Sequence, residues 1–554
     1  MSSPPRPVIT PARRGYSVEY RGKTLLSRID PVGRGERAAA EVPREGRTLY
    51  FCPSPLLGYG LAVLLAGTGE DSAVLCVETD GELLSLSLMS IEREVLDHPR
   101  FALTGIGEGA PLCAFVRDRW GKRSFRRVVE LGLSAGRQLD EGRYKELAAA
   151  LRREIAVEWG NAMTLVKLGR SFIRNAVRNL VLLQGVPDFK DFSLGKAPAL
   201  VLGAGPSLDG FLDALEKSGL AGGGAAARPF RIICVDTCIP VLLERGIIPD
   251  LAVILESQHW NLRDFIGARD SRIAAAVDLS AYPATAGVLG GKVLPFFTPW
   301  TTLRLFDRLK GASLLPEILP PLGSVGLSAV ELARRLGGGA VVCSGIDFSF
   351  TLDRGHARSS PAHLAGLAGQ NRLKGLMDPA AAFREGVFTA VSKAGLPVRS
   401  NPAMRNYRSL FEQEFSADPR IRDLNGTGLP LGLKTLSTGE ALELLAAGTG
   451  GARPGAEGPG KPEETGIREE LPAFIKNELA MLEELRDILT GSRPPEKLDA
   501  LLDGADYLWA HFPDCAGSGK RPGDRGFLKR VRVEIDPFIR LWHLTLGELR
   551  PPVG

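Results

Sequence analysis

Hydrophobic positions along the chain fall into two alternating patterns. Short continuous apolar blocks, each closed by glycine or an acidic residue, read as buried strands, and stretches with apolar residues every three or four positions read as helices. The first set opens with Leu49-Tyr50-Phe51, a loop from Cys52 to Gly60, an apolar helix through Leu65, and a strand from Ala73 to Val77 that ends at Glu78. A long helical stretch runs from Glu141 to about Leu183, with Leu147, Leu151, Ile155 and Trp159 on one stripe. The second set begins at Leu200-Val201-Leu202 and continues with Phe230 to Val235, Leu251 to Leu255 and Ala340 to Phe348, separated by helical patterns. Such alternation predicts an α/β protein with mostly parallel sheets, whose ligands sit off the carboxyl ends of the strands.

The same pattern divides the chain. It predicts an N-terminal Rossmann-like α/β domain over 1–140, connecting helices over 141–195, a central Rossmann-like domain over 196–440, a Gly/Pro-rich linker over 441–466 and a helical C-terminal domain over 467–554. Composition narrows the partners. The 69 basic and 64 acidic side chains leave a formal charge of only +5, so bulk charge points to neither nucleic acid nor an anionic membrane. Seven cysteines are spread singly through apolar runs, which reads as buried thiols in a reducing compartment, and no His/Cys cluster completes a metal site. The first residues lack the apolar core of a signal peptide. The one long uncharged stretch, Thr48 to Gly69, is broken by Pro53, Pro55, Gly58 and Gly60, so no membrane span is expected. A cytoplasmic protein is the resulting expectation.

Candidate chemistry centres on Ala197 to Phe211, APALVLGAGPSLDGF. An apolar strand, a Gly203-Ala204-Gly205-Pro206-Ser207 turn and a helix start would aim N–H groups and a helix dipole at a bound phosphate. Two glycines of a G-x-G-x-x-G fingerprint are present, and Leu208 takes the place of the third. Further candidates lie at later strand ends: Asp236 and Thr237, Glu256 and Ser257, and Asp347 followed by His356. The N-terminal loop PSPLLGYG lacks such glycine spacing, so a scaffold without a ligand is expected there. Gly517-Ser518-Gly519-Lys520 imitates a P-loop but has Arg521 where magnesium needs Ser or Thr.

The ordered blocks GAGPSL, ICVDT with RGIIPD, and GSVGLSAVELARRLGGGAVVCSGIDFSF with GHARSSP resemble the domain shared by 6-hydroxymethylpterin diphosphokinase MptE-like (DUF115) proteins and the motility accessory factor (Maf) family. They are also similar to the family 42 sialyltransferases. The resemblance covers roughly 196–430 and implies a sialyltransferase-like central domain. It implies a transferase that moves a nonulosonic, sialic-acid-like sugar from a CMP-activated donor to Ser or Thr of flagellin. By the same resemblance, Gly203, Gly205, Pro206 and Ser207 cradle the donor, with Asp236, Thr237, Glu256 and Ser257 beside it. Ser324 lies near the donor, and His356 is the general base, with Asp347 in the catalytic set. This chain departs from the sialyltransferase pattern at Ala204, Asp236 and Glu256-Ser257, where those enzymes carry Asn.

Two other readings stay open. A pyrophosphokinase would move diphosphate from ATP to a pterin alcohol with Mg²⁺ held by Asp236, Asp250, Glu256 and Asp347. A non-catalytic flagellin-binding factor would bind no nucleotide. Either Asp278 to Thr298 or Gly369 to Arg408 is expected to receive the acceptor, and Arg399, Asn401, Arg405, Tyr407 and Arg408 favour the second for an acidic sugar.

Overall fold

The computed structural model describes residues 6–121, 125–184, 189–222, 228–352, 354–373, 375, 383–448, 470–515 and 524–549. Of the linker expected over 441–466, the first six residues are instead the end of the helix Thr438–Ala446, and 449–466 lie outside the described residues, as does the P-loop-like Gly517 to Lys520. The chain divides into two compact units, Met1–Arg170 with Leu508–Val531, and Ser171–Tyr507 with Arg532–Gly554.

In the first unit, a small antiparallel sheet of β1 (Val8–Pro11), β2 (Tyr16–Tyr20) and β3 (Lys23–Thr24) precedes a parallel one. The parallel sheet holds β4 (Thr48–Pro53), β5 (Ala73–Val77), β6 (Phe101–Thr104) and β7 (Arg127–Glu130) in the order β6-β5-β4-β7. β4 and β5 are buried at every position, as continuous apolar runs in a doubly covered parallel sheet require.

The second unit is built on a nine-stranded sheet. Its strands are β8 (Ala199–Leu202), β9 (Arg231–Val235), β10 (Leu251–Ile254), β11 (Ile273–Asp278), β12 (Gly290–Phe297), β13 (Glu317–Ile318), β14 (Val341–Ser344), β17 (Ile421–Leu424) and β18 (Lys434–Leu436). A separate hairpin pairs β15 (Phe388–Val391) with β16 (Pro397–Ser400). The order is β13-β12-β11-β10-β9-β8-β14-β17-β18, and every pairing is parallel. The chain therefore winds outward from β8 to β13, then returns to place β14 against the other side of β8. That reversal makes the β8/β14 boundary the switch point of the sheet, where doubly wound folds open a crevice.

The helix Val325–Leu336, buried on nearly every side, packs across β8, β9, β10 and β14. It runs back against the strands, so its N-terminus with Ser324 reaches the same carboxyl edge. The helix Glu141–Asn179 also serves that edge. Its Asn175 amide donates to the carbonyls of Ser257 and Ser280 (2.9 and 3.0 Å), and Asn179 to those of Leu279 and Ala281 (both 2.9 Å). These bonds satisfy buried carbonyls where β10 and β11 run out into loops.

Candidate functional site

Beyond β8 and β14 two glycine-containing turns press face to face. The Gly203 N–H donates to Ser344 O and the Gly205 N–H to Gly345 O, both at 2.8 Å. Gly345 is left-handed (φ 70°), and a Cβ there would run into the Gly203 carbonyl; a Cβ on Gly205 would meet Asp347 Oδ2 at 2.5 Å. Glycine is thus required by the approach of two backbones. The third fingerprint glycine has no such task, because Leu208 is buried in the core.

Asp347 closes the turn. Its Oδ2 accepts the Ser207 N–H at 2.8 Å and its Oδ1 the Ser207 hydroxyl at 2.5 Å. The N–H groups of Gly203, Gly205 and Ser207, expected to cradle a phosphate, are all bonded within the protein. Pro206 is buried beside them. Asp347 is itself buried, which raises its pKa, while Lys393 and the Ser207 bonds pull it back.

Lys393, at the tip of the β15–β16 hairpin, is a residue that sequence reasoning missed. Its N–H bonds Gly428 O at 2.9 Å, and its ammonium reaches Asp423 Oδ1 at 2.8 Å with both side chains almost fully buried. Asp423 ends β17 beside Asp347; burial pushes its pKa up to about 6 against the pull of Lys393, and Asp347 adds to the rise. One cation thus faces two carboxylates under the glycine turn. No local motif announces it, since Lys393 and Asp423 belong to different elements and meet only when the hairpin packs against β17.

His356 sits in the loop after β14. The loop is bonded to the turn through Ala357 N–H to Ala204 O (2.9 Å). The imidazole is exposed, and makes no hydrogen bond or ion pair with any described residue. Surrounding protein still holds its pKa below the ordinary histidine value. Ser324 is half-buried at the start of Val325–Leu336, and its hydroxyl bonds no helix N–H. Both groups are chemically uncommitted.

A second cluster lies off β9 and β10. Asp236 is buried, with Oδ2 accepting the Asn261 amide at 2.9 Å and Oδ1 the Thr237 N–H at 2.9 Å. The Thr237 hydroxyl and the Asn261 amide also reach Asp264 Oδ2, each at 3.2 Å. Burial pushes the Asp236 pKa up to about 7, with the Asp264 charge adding to it. Asp264 and Asn261, in the short turn after β10, were also missed, because nothing in HWNLRDF marks two of its residues as partners of a strand end. Glu256 is exposed and caps Gln258 N–H at 2.9 Å. Ser257 is buried, its carbonyl held by Asn175. Asp250 stands apart. It precedes β10, at the opposite edge of the sheet, in a fully buried ion pair with Arg228 at 2.9 Å.

With this geometry in view the likenesses of the chain can be placed. Residues 170–353 match the family described as "6-hydroxymethylpterin diphosphokinase MptE-like". The matched segment holds β8 to β14 and Asp236, Glu256, Ser324 and Asp347, and it ends just short of His356. An uncharacterized protein of Treponema pallidum (strain Nichols) is 29% identical over 561 residues, covering 98% of this chain and 95% of that protein. Another uncharacterized protein of the same organism is 31% identical over 122 residues, 20% of this chain and 31% of its own. A solved structure, the MAf glycosyltransferase from Magnetospirillum magneticum AMB-1, aligns over 99% of this chain and 92% of its own with a TM-score of 0.55 and 16% identity. At that identity the likeness establishes a shared fold, and it extends beyond the matched segment to the N-terminal unit.

Proposed function

We propose that this chain is a Maf-type glycosyltransferase acting in the cytoplasm, which moves a nonulosonic acid from a CMP-linked donor onto a Ser or Thr hydroxyl of flagellin. The observation that carries the reading is His356. It is an imidazole without a hydrogen-bond or ion-pair partner among the described residues, on a loop bonded to the turn at the switch point. The fold shared with the MAf glycosyltransferase along the whole chain supports it, and so does the MptE-like family match.

In this reading the acceptor hydroxyl gives its proton to an imidazole nitrogen of His356 as its oxygen forms the new bond to the anomeric carbon. The bond from that carbon to the phosphate oxygen breaks, and CMP leaves with the electron pair. A base whose pKa lies near or below neutrality is ready to accept that proton. Ser324 and the N–H groups opening Val325–Leu336 take the phosphate, since the Ser207 donors belong to Asp347.

Residue placement weakens the pyrophosphokinase reading. Of the four carboxylates that would share Mg²⁺, Asp250 is at the wrong edge and bound to Arg228, and Asp347 is bonded to Ser207. Among the described residues no group of three His, Cys, Asp or Glu is arranged to hold a metal ion. Calorimetry with CMP, CTP and ATP, with and without magnesium, tests the proposal. Magnesium-independent binding of CMP or its sugar is the expected result, and binding of ATP only with magnesium would overturn it.

A further inference from the structure

The His356 loop is fastened to the first turn of the helix Leu208–Lys217 by one carboxylate. Asp209 is only 7% exposed. Its Oδ2 is ion-paired with the Arg354 guanidinium. The Arg358 N–H donates to Oδ1 at 3.0 Å and more weakly to Oδ2 at 3.3 Å. Ala357 adds its N–H bond to the Ala204 carbonyl at 2.9 Å. His356 stands between the two anchors, at 354 and 358. Beyond it the loop is tied to itself, with Ser359 N–H on His363 Nδ1 at 3.2 Å and Ser360 Oγ capping the next helix through His363 N–H at 3.3 Å.

The arrangement has a consequence for chemistry. The imidazole makes no bond of its own, so its place is set only by the backbone that carries it. That backbone is held by Asp209, one residue past the GAGPSL turn. A buried carboxylate taking one guanidinium and one N–H is a stiff joint, because charge-assisted bonds resist opening where water is excluded.

We infer that Asp209 is the positioning residue for His356, locking the loop that carries the base to the turn beneath the donor. The role in transfer rests on the glycosyltransferase reading above; the fastening stands on the geometry alone. Asp209 acts through the loop, its carboxylate taken up by Arg354 and the Arg358 N–H.

The test uses the full chain. In Asp209→Ala, amide exchange over 354–360 should quicken by at least about tenfold as local opening becomes easier, while the peptide over β14 stays protected. In transfer assays with a CMP-activated nonulosonic acid, kcat should fall by about ten- to a hundredfold, the range expected for a misplaced catalytic group. The donor KM should stay within about twofold, since the lost interaction acts in the transition state alone. Asp209→Asn, which keeps an acceptor for the Arg358 N–H, should retain more activity than Asp209→Ala. In a His356→Ala background Asp209→Ala should cost nothing more, because two residues acting as one unit are not additive. Should Asp209→Ala fail to fold, Arg354→Ala loosens the same joint from the loop side without touching the helix. Unchanged exchange over 354–360, or an equal loss of kcat with and without His356, overturns the inference. If the wild-type chain transfers no sugar, the transferase reading falls, and the exchange result alone upholds or overturns the fastening.

Discussion

The two parallel sheets share one winding and end in opposite states. In each the chain leaves a first strand, builds outward, and returns to pair on that strand's free side: β7 beside β4 in one, β14 beside β8 in the other. At the N-terminal switch point the crevice is filled by the protein. Ser54 donates to Glu78 Oε2 at 2.6 Å, Tyr144 OH to Oε1 at 3.1 Å, and Ser134 Oγ closes on the Ser54 carbonyl at 2.6 Å. Ser54 and Glu78 are buried. The central sheet also spends its turn N–H groups internally, yet leaves the His356 imidazole and the Ser324 hydroxyl without hydrogen-bond partners among the described residues. It places carboxylates in pairs, Asp236 with Asp264 and Asp347 with Asp423, where the N-terminal sheet surrounds one carboxylate with hydroxyls. A satisfied crevice is a scaffold, and unspent polar groups mark a working edge.

The largest effect that would sharpen this contrast is on turnover. His356→Ala should lower transfer by about a hundredfold or more, the usual contribution of a general base, and leave donor binding by calorimetry unchanged. Tyr144→Phe at the N-terminal switch point should leave transfer within about twofold, as a change away from reacting atoms does. Equal losses from both would erase the distinction.

Next in size is a stability effect. Lys393→Met leaves Asp347 and Asp423 facing each other without their cation, and breaking a buried pair from one side costs about 3–5 kcal/mol. Denaturant unfolding at neutral pH reads it. A loss below about 1 kcal/mol would place the pair among ordinary surface contacts and contradict the burial found here. At acid pH the deficit should shrink, because the Asp423 carboxyl, already raised to about 6, is protonated there.

A third, smaller effect is in pH dependence. The Asp236 pKa rises from the ordinary carboxylate range to about 7 on folding, so the folded chain binds a proton that the unfolded chain releases. Stability tied to this group is fully present below about pH 4 and is lost as pH rises through about 7. Asp236→Asn should flatten that decline, visible as unfolding midpoints that differ less between pH 5 and pH 7.5 than in the wild type. Burial also raises the Glu78 pKa, but three hydrogen bonds oppose it, so Glu78→Gln should flatten the profile less. The reverse order would mean that the hydroxyl-lined carboxylate, not the paired one, carries the proton.

Much of the fold was legible because its strands are continuous apolar blocks. The strand at Leu49-Tyr50-Phe51, the helix through Leu65 and the strand Ala73–Val77 lie where the pattern places them, and so does the long helix from Glu141, since parallel strands and amphipathic helices write their burial into local sequence. The switch point was less legible. Order of strands is a non-local property, and only the sheet shows that the GAGPSL and SGIDF turns meet. For the same reason Asp347 emerged as a strand-end acid but not as the partner of Ser207, and Lys393, Asp423, Asp264 and Asp209 escaped notice. Charged residues in unremarkable loops acquire meaning from the elements packed against them. The candidates between 369 and 408 separate on the same ground: Asn401 caps a helix through Met404 N–H at 2.9 Å and Arg408 is held by Pro430 O and Glu412, which leaves Arg399 and Arg405 stacked on Phe383 and Phe388.

The smallest predicted effect concerns the glycines that let each crevice close. A Cβ on Gly205 meets Asp347 Oδ2 at 2.5 Å and the Gly345 carbonyl at 2.6 Å, and a Cβ on Gly136 runs into Ser54 Oγ. Both substitutions overpack a filled space, at a cost of about 1–3 kcal/mol. Their consequences should differ. Gly136→Ala pushes on the side chain of Ser54, its Cβ at 2.8 Å and the hydroxyl bonded to Glu78, within a scaffold, so stability should fall while transfer persists. Gly205→Ala pushes on a carboxylate and a carbonyl that hold the two turns together, so Asp347 must swing off Ser207. Stability should fall here too, and kcat should fall with it, because the Ala204 carbonyl that anchors the His356 loop belongs to the displaced turn. Matched melting curves and transfer rates decide between them: if Gly136→Ala costs as much activity as Gly205→Ala, the N-terminal crevice is no mere scaffold and the contrast between the two sheets fails.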